Sequence, residues 1–236
     1  MLEVQCLFSG YYKDINVLQG VSITAEPGKI TIIIGSNGVG KSTLLKTVYG
    51  FLPPNKGRIY YEKEDITGIK PFFMTIRGIA YIPQEHSIFP YLTVEENLRM
   101  GGWTFRKNRE LVQQRLSENY ERFKKIREKR NVNAGSLSGG EQRMVEIARG
   151  LMTDPRMILF DEPSAGLEPR RTKEIYEILE KLKYEEGRSM LLVDQNVRQA
   201  MEVADYVYVI EMGRNKVEGG RMDFEADLRE MIKNWF

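Results

Sequence analysis

Nine residues, GSNGVGKST at positions 35–43, have the types and spacing that bind phosphate groups. They match the pattern G-x-x-x-x-G-K-[ST], and they stand between the apolar run ITIII at 30–34 and a helix-forming stretch. The glycines allow the backbone to curl tightly, so that its N–H groups converge on phosphate oxygens beside the positive end of a helix. The alternative is a glycine-rich turn that only joins a strand to a helix.

The side chains at the end of this loop have separate predicted roles. Lys41 is expected to neutralise the β and γ phosphates of a bound nucleotide, Ser42 to hold Mg²⁺, and Thr43 to bond an inner phosphate. The full set of predicted ATP contacts in the loop is Gly35, Ser36, Asn37, Gly38, Val39, Gly40, Lys41, Ser42 and Thr43.

Two adjacent carboxylates, Asp161 and Glu162, follow the apolar run MILF at 157–160. Buried charge without a partner is costly, and a metal-bound triphosphate would supply the partner. We expect Asp161 to reach Mg²⁺ or its water shell, and Glu162 to polarise the attacking water as a general base. If the pair only began a helix before Pro163, one carboxylate would suffice.

A third polar segment, LSGGEQ at 137–142, precedes a helical stripe of apolar residues. Ser138 and Glu141 fit a capping box, and the two glycines between them leave the amides of the first helical turn uncovered. The segment therefore has the chemistry of a second anion site, although alone it would also fit an ordinary helix start.

A fourth segment, LLVDQNV at 191–197, opens with apolar residues and ends with polar ones. This is the pattern of a buried strand that ends at a site. It places Asp194, Gln195 and Asn196 at the edge of the predicted sheet.

Five short apolar runs have the length and continuity of strands covered on both faces, which is typical of a parallel sheet. They occupy 30–34, 79–82, 157–160, 190–193 and 207–210. Gly50 is placed to end the helix that begins near Lys41, and a later helix is expected from Pro169 to a stop at Gly187. A closing helix is expected to contain Phe224, Leu228, Met231 and Ile232.

Between 94 and about 150 the strand pattern gives way to helical patterns. Thr93 and Glu96 form a predicted capping box. One apolar stripe is formed by Val112, Leu116, Tyr120 and Phe123. We therefore expect an inserted helical lobe. The run 106–130 is rich in Arg and Lys, but its glutamates and few aromatics favour a solvated helix face over a nucleic-acid surface.

The composition narrows the class of protein. Charged residues make up 29% of 236 positions, and a net charge of +2 gives no strong attraction to nucleic acid or to an anionic membrane. No apolar run approaches the roughly 20 residues that span a bilayer, and no signal peptide is apparent. The single cysteine, Cys6, is expected to be a buried strand residue rather than a reactive thiol. We expect a cytoplasmic protein.

Together these motifs resemble those of the ABC ATPases, the nucleotide-binding subunits of ABC transporters, over essentially the whole chain. GSNGVGKST, the glutamine of IPQ, LSGGEQ, ILFDEP and SAGLEP occur in the order that the family has. The resemblance implies an α/β fold: a P-loop NTPase (RecA-like) core with a mostly parallel sheet, an N-terminal antiparallel β subdomain and an inserted α-helical subdomain. It implies a single domain over 1–236, with the ATP-binding core and β subdomain in 1–93 and 151–236, and the helical signature subdomain in 94–150.

The resemblance also implies the roles of further residues. Two subunits are expected to pack head to tail, so that one subunit contacts the γ-phosphate held by the other through Ser138, Gly139, Gly140 and Glu141. Gln84 matches the glutamine that senses Mg²⁺ and water, and counts as both a catalytic residue and a metal ligand. Tyr12 matches the aromatic that stacks on adenine, with Tyr11 as the competing choice and a core tyrosine as the alternative.

A further implied feature is a groove that receives the coupling helix of a membrane permease. Ile88, Phe89 and Pro90 match positions near this groove. Ordinary packing inside the helical lobe explains the same residues equally well.

The sequence departs from the family pattern at two positions. The family has a histidine that bonds the γ-phosphate where this chain has Gln195, and the single histidine, His86, lies far away in the chain. Glutamine can donate a neutral hydrogen bond but cannot carry charge, and Gln195 is predicted to be a catalytic contact. Glu168 in SAGLEP stands where the family often has aspartate, which puts its contact across the dimer in doubt.

The stretches VDQNV and ENLRMGG resemble the ATPases of branched-chain amino-acid importers, in particular the type that has glutamine at the histidine position. Such an ATPase pairs with a sister ATPase or a second copy of itself, with membrane permeases and, indirectly, with an extracytoplasmic solute-binding protein. It would lie on the inner face of the cell membrane. The stretch IPQEHSIFP also resembles lipopolysaccharide-export ATPases, and a soluble ABC-type ATPase or a nucleotide-sensing module are further alternatives.

Overall fold

The computed structural model describes residues 1–12 and 14–224, which form two β-sheets and the helices around them. The strands are β1 (Leu2–Ser9), β2 (Leu18–Ala25), β3 (Ile30–Ile34), β4 (Lys56–Tyr61), β5 (Glu64–Asp65), β6 (Ile79–Ile82), β7 (Met157–Asp161), β8 (Ser189–Val193), β9 (Tyr206–Glu211) and β10 (Arg214–Gly220). The helices are α1 (Lys41–Val48), α2 (Pro71–Ile76), α3 (Val94–Gly101), α4 (Arg109–Arg122), α5 (Lys124–Glu128), α6 (Gly139–Leu151), α7 (Pro169–Tyr184), α8 (Val197–Val203) and α9 (Arg221–Phe224).

The larger sheet has six strands in the order β10-β9-β3-β8-β7-β6. The pairs among β9, β3, β8, β7 and β6 are all parallel, and β10 joins β9 in antiparallel pairing. These five parallel strands contain the five apolar runs, so the predicted parallel sheet is confirmed. In β3, Ile32 and Ile33 point into two different cores, so the strand is buried on both faces and carries apolar side chains on each.

Parallel pairing brings the carboxyl ends of four strands to one edge of the sheet. Ile33 and Asp161 both pair with Val193. Phe160 pairs with Ile82 on the other side. The loops that follow β3, β6, β7 and β8 therefore begin side by side, as expected for the ligand-binding edge of an open α/β sheet.

The smaller sheet has the order β2-β1-β4-β5, and all of its pairs are antiparallel. Leu7, Leu18 and Ile59 are fully buried in a core shared with α1 and with one face of the larger sheet. The predicted N-terminal antiparallel subdomain is confirmed, and its core supports the helix that follows the phosphate loop.

The chain between β6 and β7, all of which is described, contains helices, turns and loops but no strand. The predicted stripe of Val112, Leu116, Tyr120 and Phe123 is buried. The predicted capping box is also present, because the amide and hydroxyl of Thr93 donate to the Glu96 carboxylate and the Glu96 amide donates to Thr93 Oγ1. The helical character of this region is therefore confirmed.

The helix boundaries follow the sequence signals. Pro169 is the first residue of α7, where its missing N–H costs nothing. Gly50 and Gly187 have φ values of 86° and 64° and end α1 and α7 in the left-handed region. At Gly50 a Cβ would lie 1.9 Å from the carbonyl oxygen of Ile69, so no other residue fits there.

A group of ion pairs connects α4 to the segments around α7 and β7. Arg115 and Arg188 both bind Asp154, each at 2.7 Å. Arg122 binds Glu186 at 2.6 Å, and Glu186 also binds Arg188. Two basic residues of the predicted solvated face, Arg115 and Arg122, thus have carboxylate partners in the same chain.

The prediction for Cys6 is wrong. Cys6 lies in β1 as expected, but it is exposed and has a φ of 44°. The register of β1 against β2 shifts between Val4 and Leu7, and the two residues between them, Gln5 and Cys6, both face outward. This β-bulge breaks the alternation of buried and exposed side chains. The sequence VQCLF contains no signal that predicts the bulge.

Only the first residue of the predicted closing helix can be compared. Phe224 lies in α9 and is buried against the main core. Leu228, Met231 and Ile232 lie outside the described residues. No helix within residues 1–12 and 14–224 is long and apolar enough to cross a membrane.

The exposure of Cys6 leads to a direct test. The native protein should react with a small aromatic disulfide reagent almost as fast as the urea-unfolded chain, because no opening of the fold is needed. The reaction is followed by absorbance, and Cys6→Ser, which removes the single thiol, is the control that should give no signal. Protection of the native thiol by more than about 100-fold would contradict the exposed position.

Candidate functional site

The phosphate loop connects β3 to α1 and curls as the sequence predicts. At Gly35 a Cβ would lie 2.3 Å from the carbonyl oxygen of Ile210, so the backbone passes too close to β9 for any side chain. Gly40 has a φ of 107°, which favours glycine, and it immediately precedes the first turn of α1. The amides of that turn point back toward the loop.

Lys41 bends back over the loop that precedes it. Its Nζ donates to the carbonyl oxygens of Gly35 and Ser36 at 2.8 and 3.0 Å. Burial lowers the pKa of Lys41, and the nearby carboxylates of Glu162 and Asp161 partly offset this effect. The ammonium is therefore held at the centre of the loop, close to both acidic side chains.

Asp161 is 1% exposed and accepts a hydrogen bond at each carboxylate oxygen. Ser42 Oγ donates to Oδ1 at 2.7 Å, and Tyr81 OH donates to Oδ2 at 2.8 Å. The structure thus brings the predicted pair Ser42 and Asp161 together. Tyr81, which sequence reasoning missed, fixes the orientation of the carboxylate.

Glu162 is 5% exposed and accepts two hydrogen bonds at the same oxygen. Gln84 Nε2 donates to Oε2 at 2.6 Å and Gln195 Nε2 donates at 2.7 Å. Burial raises the pKa of Glu162, while the Gln195 bond and the Lys41 charge oppose the rise. The three residues predicted to be catalytic therefore form one cluster, in which two neutral amides orient a desolvated carboxylate.

The backbone at Glu162 is unusual for a non-glycine residue. Its φ is 47°, in the left-handed region, and its amide donates to the carbonyl oxygen of Val193 at 2.7 Å. Such a conformation costs about 1 kcal/mol or more and persists only where the surroundings impose it. Here it turns the side chain off the end of β7 toward the loops from β6 and β8.

The polar end of LLVDQNV has three separate functions. Gln195 binds Glu162 as described. Asp194 accepts from Ser164 Oγ at 2.9 Å and from the Asn196 amide at 2.8 Å, so it ties the SAGLEP segment to the end of β8. Asn196 is the N-cap of α8, where its side chain accepts from the amide of Gln199. Only Gln195 reaches the carboxylate cluster.

The LSGGEQ segment lies at the start of α6. The predicted capping box is present, and the Ser138 amide and hydroxyl donate to the Glu141 carboxylate at 3.0 and 2.9 Å. Lys129 also binds Glu141 at 2.7 Å, and these bonds lower the pKa of Glu141 to about 2. Gly139 is exposed, whereas at Gly140 a Cβ would meet the Arg171 side chain at 2.8 Å. The contacts of this segment are thus with α7 and the helical lobe rather than with the phosphate loop of the same chain.

The two candidate adenine-stacking residues lie on the surface. Tyr12 is 72% exposed and Tyr11 is 55% exposed, so neither is a core tyrosine. The Lys46 ammonium lies 5.9 Å from the centre of the Tyr11 ring, which places Tyr11 beside α1. The structure leaves both rings available for stacking and does not choose between them.

The family model described as "ABC transporter" matches residues 18–165, which include the phosphate loop, LSGGEQ and both carboxylates. The chain belongs to the family of ABC transporter ATPases. The order of the motifs in the sequence and their assembly at one sheet edge agree with this assignment.

Curated relatives have similar length. The chain is 43% identical over 206 residues to the high-affinity branched-chain amino acid transport ATP-binding protein BraG of Pseudomonas aeruginosa, with 87% of each chain covered. It is 36% identical over 219 residues to the probable branched-chain amino acid transport ATP-binding protein LivF of Archaeoglobus fulgidus, covering 93% of this chain and 92% of the relative. It is 39% identical over 204 residues to the lipopolysaccharide export system ATP-binding protein LptB of Escherichia coli, covering 86% and 83%.

Solved structures agree with the fold. The ADP conformation of MJ1267, an ATP-binding cassette of an ABC transporter, superposes with a TM-score of 0.88 at 31% identity, covering 99% of this chain and 97% of that one. A nucleotide-free ATP-binding cassette from an ABC transporter gives 0.86 at 31% identity, covering 99% and 95%. The α/β fold expected from the motifs is confirmed.

Arg143, on the buried face of α6, is the main residue of this ATPase that the sequence reasoning missed. It is 3% exposed, and its guanidinium donates to Pro163 O at 3.1 Å and to Pro83 O at 2.6 Å. These carbonyls stand next to Glu162 and Gln84. The signal in the sequence is an arginine within a helical stripe of apolar residues, since a charge at such a position requires a buried partner.

A groove of about 330 Å³ lies between β6, α3 and α6. Its polar side contains Glu146 and Arg149 of α6, and Arg149 donates to Ser87 O and Oγ at 2.6 Å each. Of the three residues predicted to lie near a docking groove, Phe89 is exposed and lines it, while Ile88 packs against the core. Packing inside the lobe therefore explains Ile88, whereas docking at Phe89 stays a prediction.

The raised pKa of Glu162 predicts a change in stability. An ionised carboxylate disfavoured by burial destabilises the fold above its folded-state pKa, and this penalty is relieved as the pH falls. Glu162→Gln keeps the oxygen that accepts from Gln84 and Gln195 but removes the charge. It should raise the Tm at neutral pH, with a gain that shrinks as the pH is lowered toward the pKa.

The measurement is thermal unfolding at several pH values, with Glu185→Gln as the control. Glu185 is exposed at the end of α7, so its replacement should change the Tm little at any pH. An unchanged or lower Tm of Glu162→Gln at neutral pH would show that the folded protein does not disfavour the ionised carboxylate.

Proposed function

We propose that this chain is the ATP-binding and ATP-hydrolysing subunit of an ABC importer for branched-chain or other hydrophobic amino acids. The observation that carries the proposal is the Glu162 carboxylate, oriented by Gln84 and Gln195 beside the phosphate loop. Both of these donors are neutral, and burial raises the pKa of Glu162, which leaves the carboxylate able to accept a proton.

In the proposed reaction the loop residues 35–43 hold the triphosphate. Lys41 exchanges its bonds to the Gly35 and Ser36 carbonyls for bonds to the β and γ phosphates, and Thr43 bonds an inner phosphate. Glu162 accepts a proton from the attacking water, while Gln84 and Gln195 hold the carboxylate in position. Water attacks the γ-phosphorus, the bond to the β–γ bridging oxygen breaks, and ADP and phosphate are released.

The oxygens around Asp161 fit Mg²⁺. Ser42 Oγ and Asp161 Oδ1 lie 2.7 Å apart, and the amide oxygen of Gln84 is the third predicted ligand. Mg²⁺ is usually held by one or two carboxylates together with substrate phosphates and water, which suits this set. Bound there, Mg²⁺ would neutralise the charge that develops on the phosphates. Tyr81 keeps Asp161 aimed at the loop.

The start of α6 supports a head-to-tail dimer. The Ser138 and Gly139 positions are exposed and open α6, a helix of 13 residues, at the end that attracts anions. They make no bond to the phosphate loop of their own chain, so we propose that Ser138, Gly139, Gly140 and Glu141 contact the nucleotide of the other subunit. That subunit is a sister ATPase or a second copy of this chain. The exposed Tyr12 is the proposed adenine contact.

The groove beside Gln84 supports docking to membrane permeases. Phe89, Met100 and Tyr49 line it, and Phe89 and Met100 are exposed in the isolated chain. A short helix of a permease that buries this apolar lining would place the chain as a peripheral protein on the cytoplasmic face of the membrane. The extracytoplasmic solute-binding protein would act through the permeases alone.

The proposed cargo rests on the relatives. BraG and LivF are named as branched-chain amino acid transport proteins, and BraG has the higher identity of the relatives reported above. LptB is named as a lipopolysaccharide export protein, so export of a lipid is the second candidate.

Replacement of the proposed base tests the catalytic role. Glu162→Gln should lower the ATPase kcat by at least about 100-fold, because a positioned general base contributes about 10²–10⁴ in rate. With ATP and Mg²⁺ it should also form a stable dimer, seen by sedimentation, since bound ATP is no longer consumed. Glu185→Gln is the control and should behave as the wild type. A dimer that never forms, with or without the sister ATPase, would contradict the proposed assembly.

The cargo is tested by affinity capture from detergent-solubilised membranes of the native host. We expect the tagged chain to retain permeases whose reconstituted vesicles take up radiolabelled leucine, isoleucine or valine when ATP is supplied. The capture is repeated with Phe89→Glu, which should lose the permeases while keeping ATPase activity in solution. Capture of lipid-export permeases instead would reject the proposed cargo and favour the second candidate.

A further inference from the structure

Arg143 is a buried charge with an unusual number of partners. Its Nη1 donates to Pro83 O at 2.6 Å and to Glu146 Oε2 at 2.9 Å, and its Nε donates to Pro163 O at 3.1 Å. Its Nη2 lies 3.5 Å from the carbonyl oxygens of both Asp161 and Glu162. One guanidinium thus binds the three consecutive carbonyl oxygens of residues 161–163, which include that of the proposed base.

Glu146 adds a second contact between α6 and the segment 83–87, which contains Gln84. It is 2% exposed and accepts from the Ser87 amide at 2.5 Å as well as from Arg143. Pro83 and Ser87 lie on either side of Gln84 in the chain. Helix α6 therefore holds both ends of the segment that carries one of the two amides bound to Glu162.

The other end of α6 is the LSGGEQ segment. Ser138 precedes Arg143 by five residues on a continuous helix, a distance of about 7.5 Å along the axis at 1.5 Å per residue. A helix with packed neighbours moves as a rigid unit over so short a distance. A displacement of its first turn must therefore reach the guanidinium and the carbonyls that it holds.

We propose that Arg143 couples the two nucleotide sites of the dimer. It transmits the engagement of Ser138 with the nucleotide of the partner subunit to Glu162 and Gln84 in its own subunit. This inference rests on the proposed head-to-tail dimer. It makes Arg143 a positioning residue, because the guanidinium contacts backbone carbonyls beside the base rather than the nucleotide.

A comparison of two buried arginines provides the first test. Arg188 is 7% exposed and also binds a proline carbonyl, that of Pro155, and carboxylates, but it lies among the ion pairs that connect α4 to the segments around α7 and β7. Arg143→Lys keeps the charge but cannot reach all five acceptors, so kcat should fall by about 10–100-fold, the effect of a shift near 1 Å. The Kd for ATP should change less than about twofold, because Arg143 does not touch residues 35–43.

Arg188→Lys should lower the Tm at least as much as Arg143→Lys while keeping kcat within about twofold of the wild type. Turnover is measured at a temperature where circular dichroism shows both variants folded. If Arg143→Lys kept the kcat of Arg188→Lys, or lost ATP binding along with turnover, the positioning role would be overturned.

A double-mutant cycle in mixed dimers tests the coupling itself. One protomer carries Glu162→Gln, so all turnover comes from the other protomer, which is wild type, Ser138→Ala, Arg143→Lys or both. Ser138 of the active protomer faces the nucleotide of its partner, so any effect on its own site must pass through its own fold. Coupling predicts that Ser138→Ala lowers kcat at least about fivefold with Arg143 present and less than about twofold with Arg143→Lys.

Dimer formation is measured in each mixture by sedimentation, and kcat is given per dimer. Effects of the two substitutions that multiply independently would overturn the coupling by Arg143 while leaving the proposed function intact. Absence of any ATP-dependent dimer with Glu162→Gln would instead overturn the proposed assembly, and the coupling with it.

Discussion

Everything at this site depends on parallel pairing, which puts the ends of four strands at one edge of a sheet. Ile33 and Asp161 both pair with Val193, so the ends of β3, β7 and β8 are in register. The phosphate loop, the carboxylates and Gln195 therefore follow these strands at the same edge of the sheet. A slip of one residue in β7 would move the side chain of Asp161 to the other face of the sheet, because side chains alternate along a strand. Such a slip would also separate the buried Asp161 carboxylate from its two donors, Ser42 and Tyr81, and that loss opposes it.

Burial then determines the electrostatics. Desolvation lowers the pKa of Lys41 and raises the pKa of Glu162, and each group partly offsets the shift of the other. Because Gln195 is neutral, the cluster at Glu162 contains no second titratable donor. An imidazolium there would favour the ionised carboxylate and weaken it as a base. The glutamine therefore keeps the carboxylate oriented while leaving its affinity for a proton high.

The sequence predicted what is encoded locally. The strands, the phosphate loop, the helix stops at Gly50 and Gly187 and the capping boxes each follow from a few neighbouring residues, and the structure contains all of them. Cys6 could not be placed, because a β-bulge depends on the register of two neighbouring strands. Tyr81 and Arg143 were missed for the same reason, since their partners lie far away in the chain and only the fold brings them together.

Helix α6 carries more buried charge than stability requires. A buried pair such as Arg143 and Glu146 is often no more stable than well-packed apolar side chains of similar volume. Apolar contacts tolerate small displacements, whereas a guanidinium that shares five acceptors loses several bonds at once when it moves. The same helix begins at the LSGGEQ segment, holds the backbone at Glu162 and lines the groove with Glu146 and Arg149. If either end of α6 moves alone, the hydrogen bonds of Arg143 at its middle are broken. The LSGGEQ segment, the backbone at Glu162 and the groove can therefore keep these bonds only if they move together.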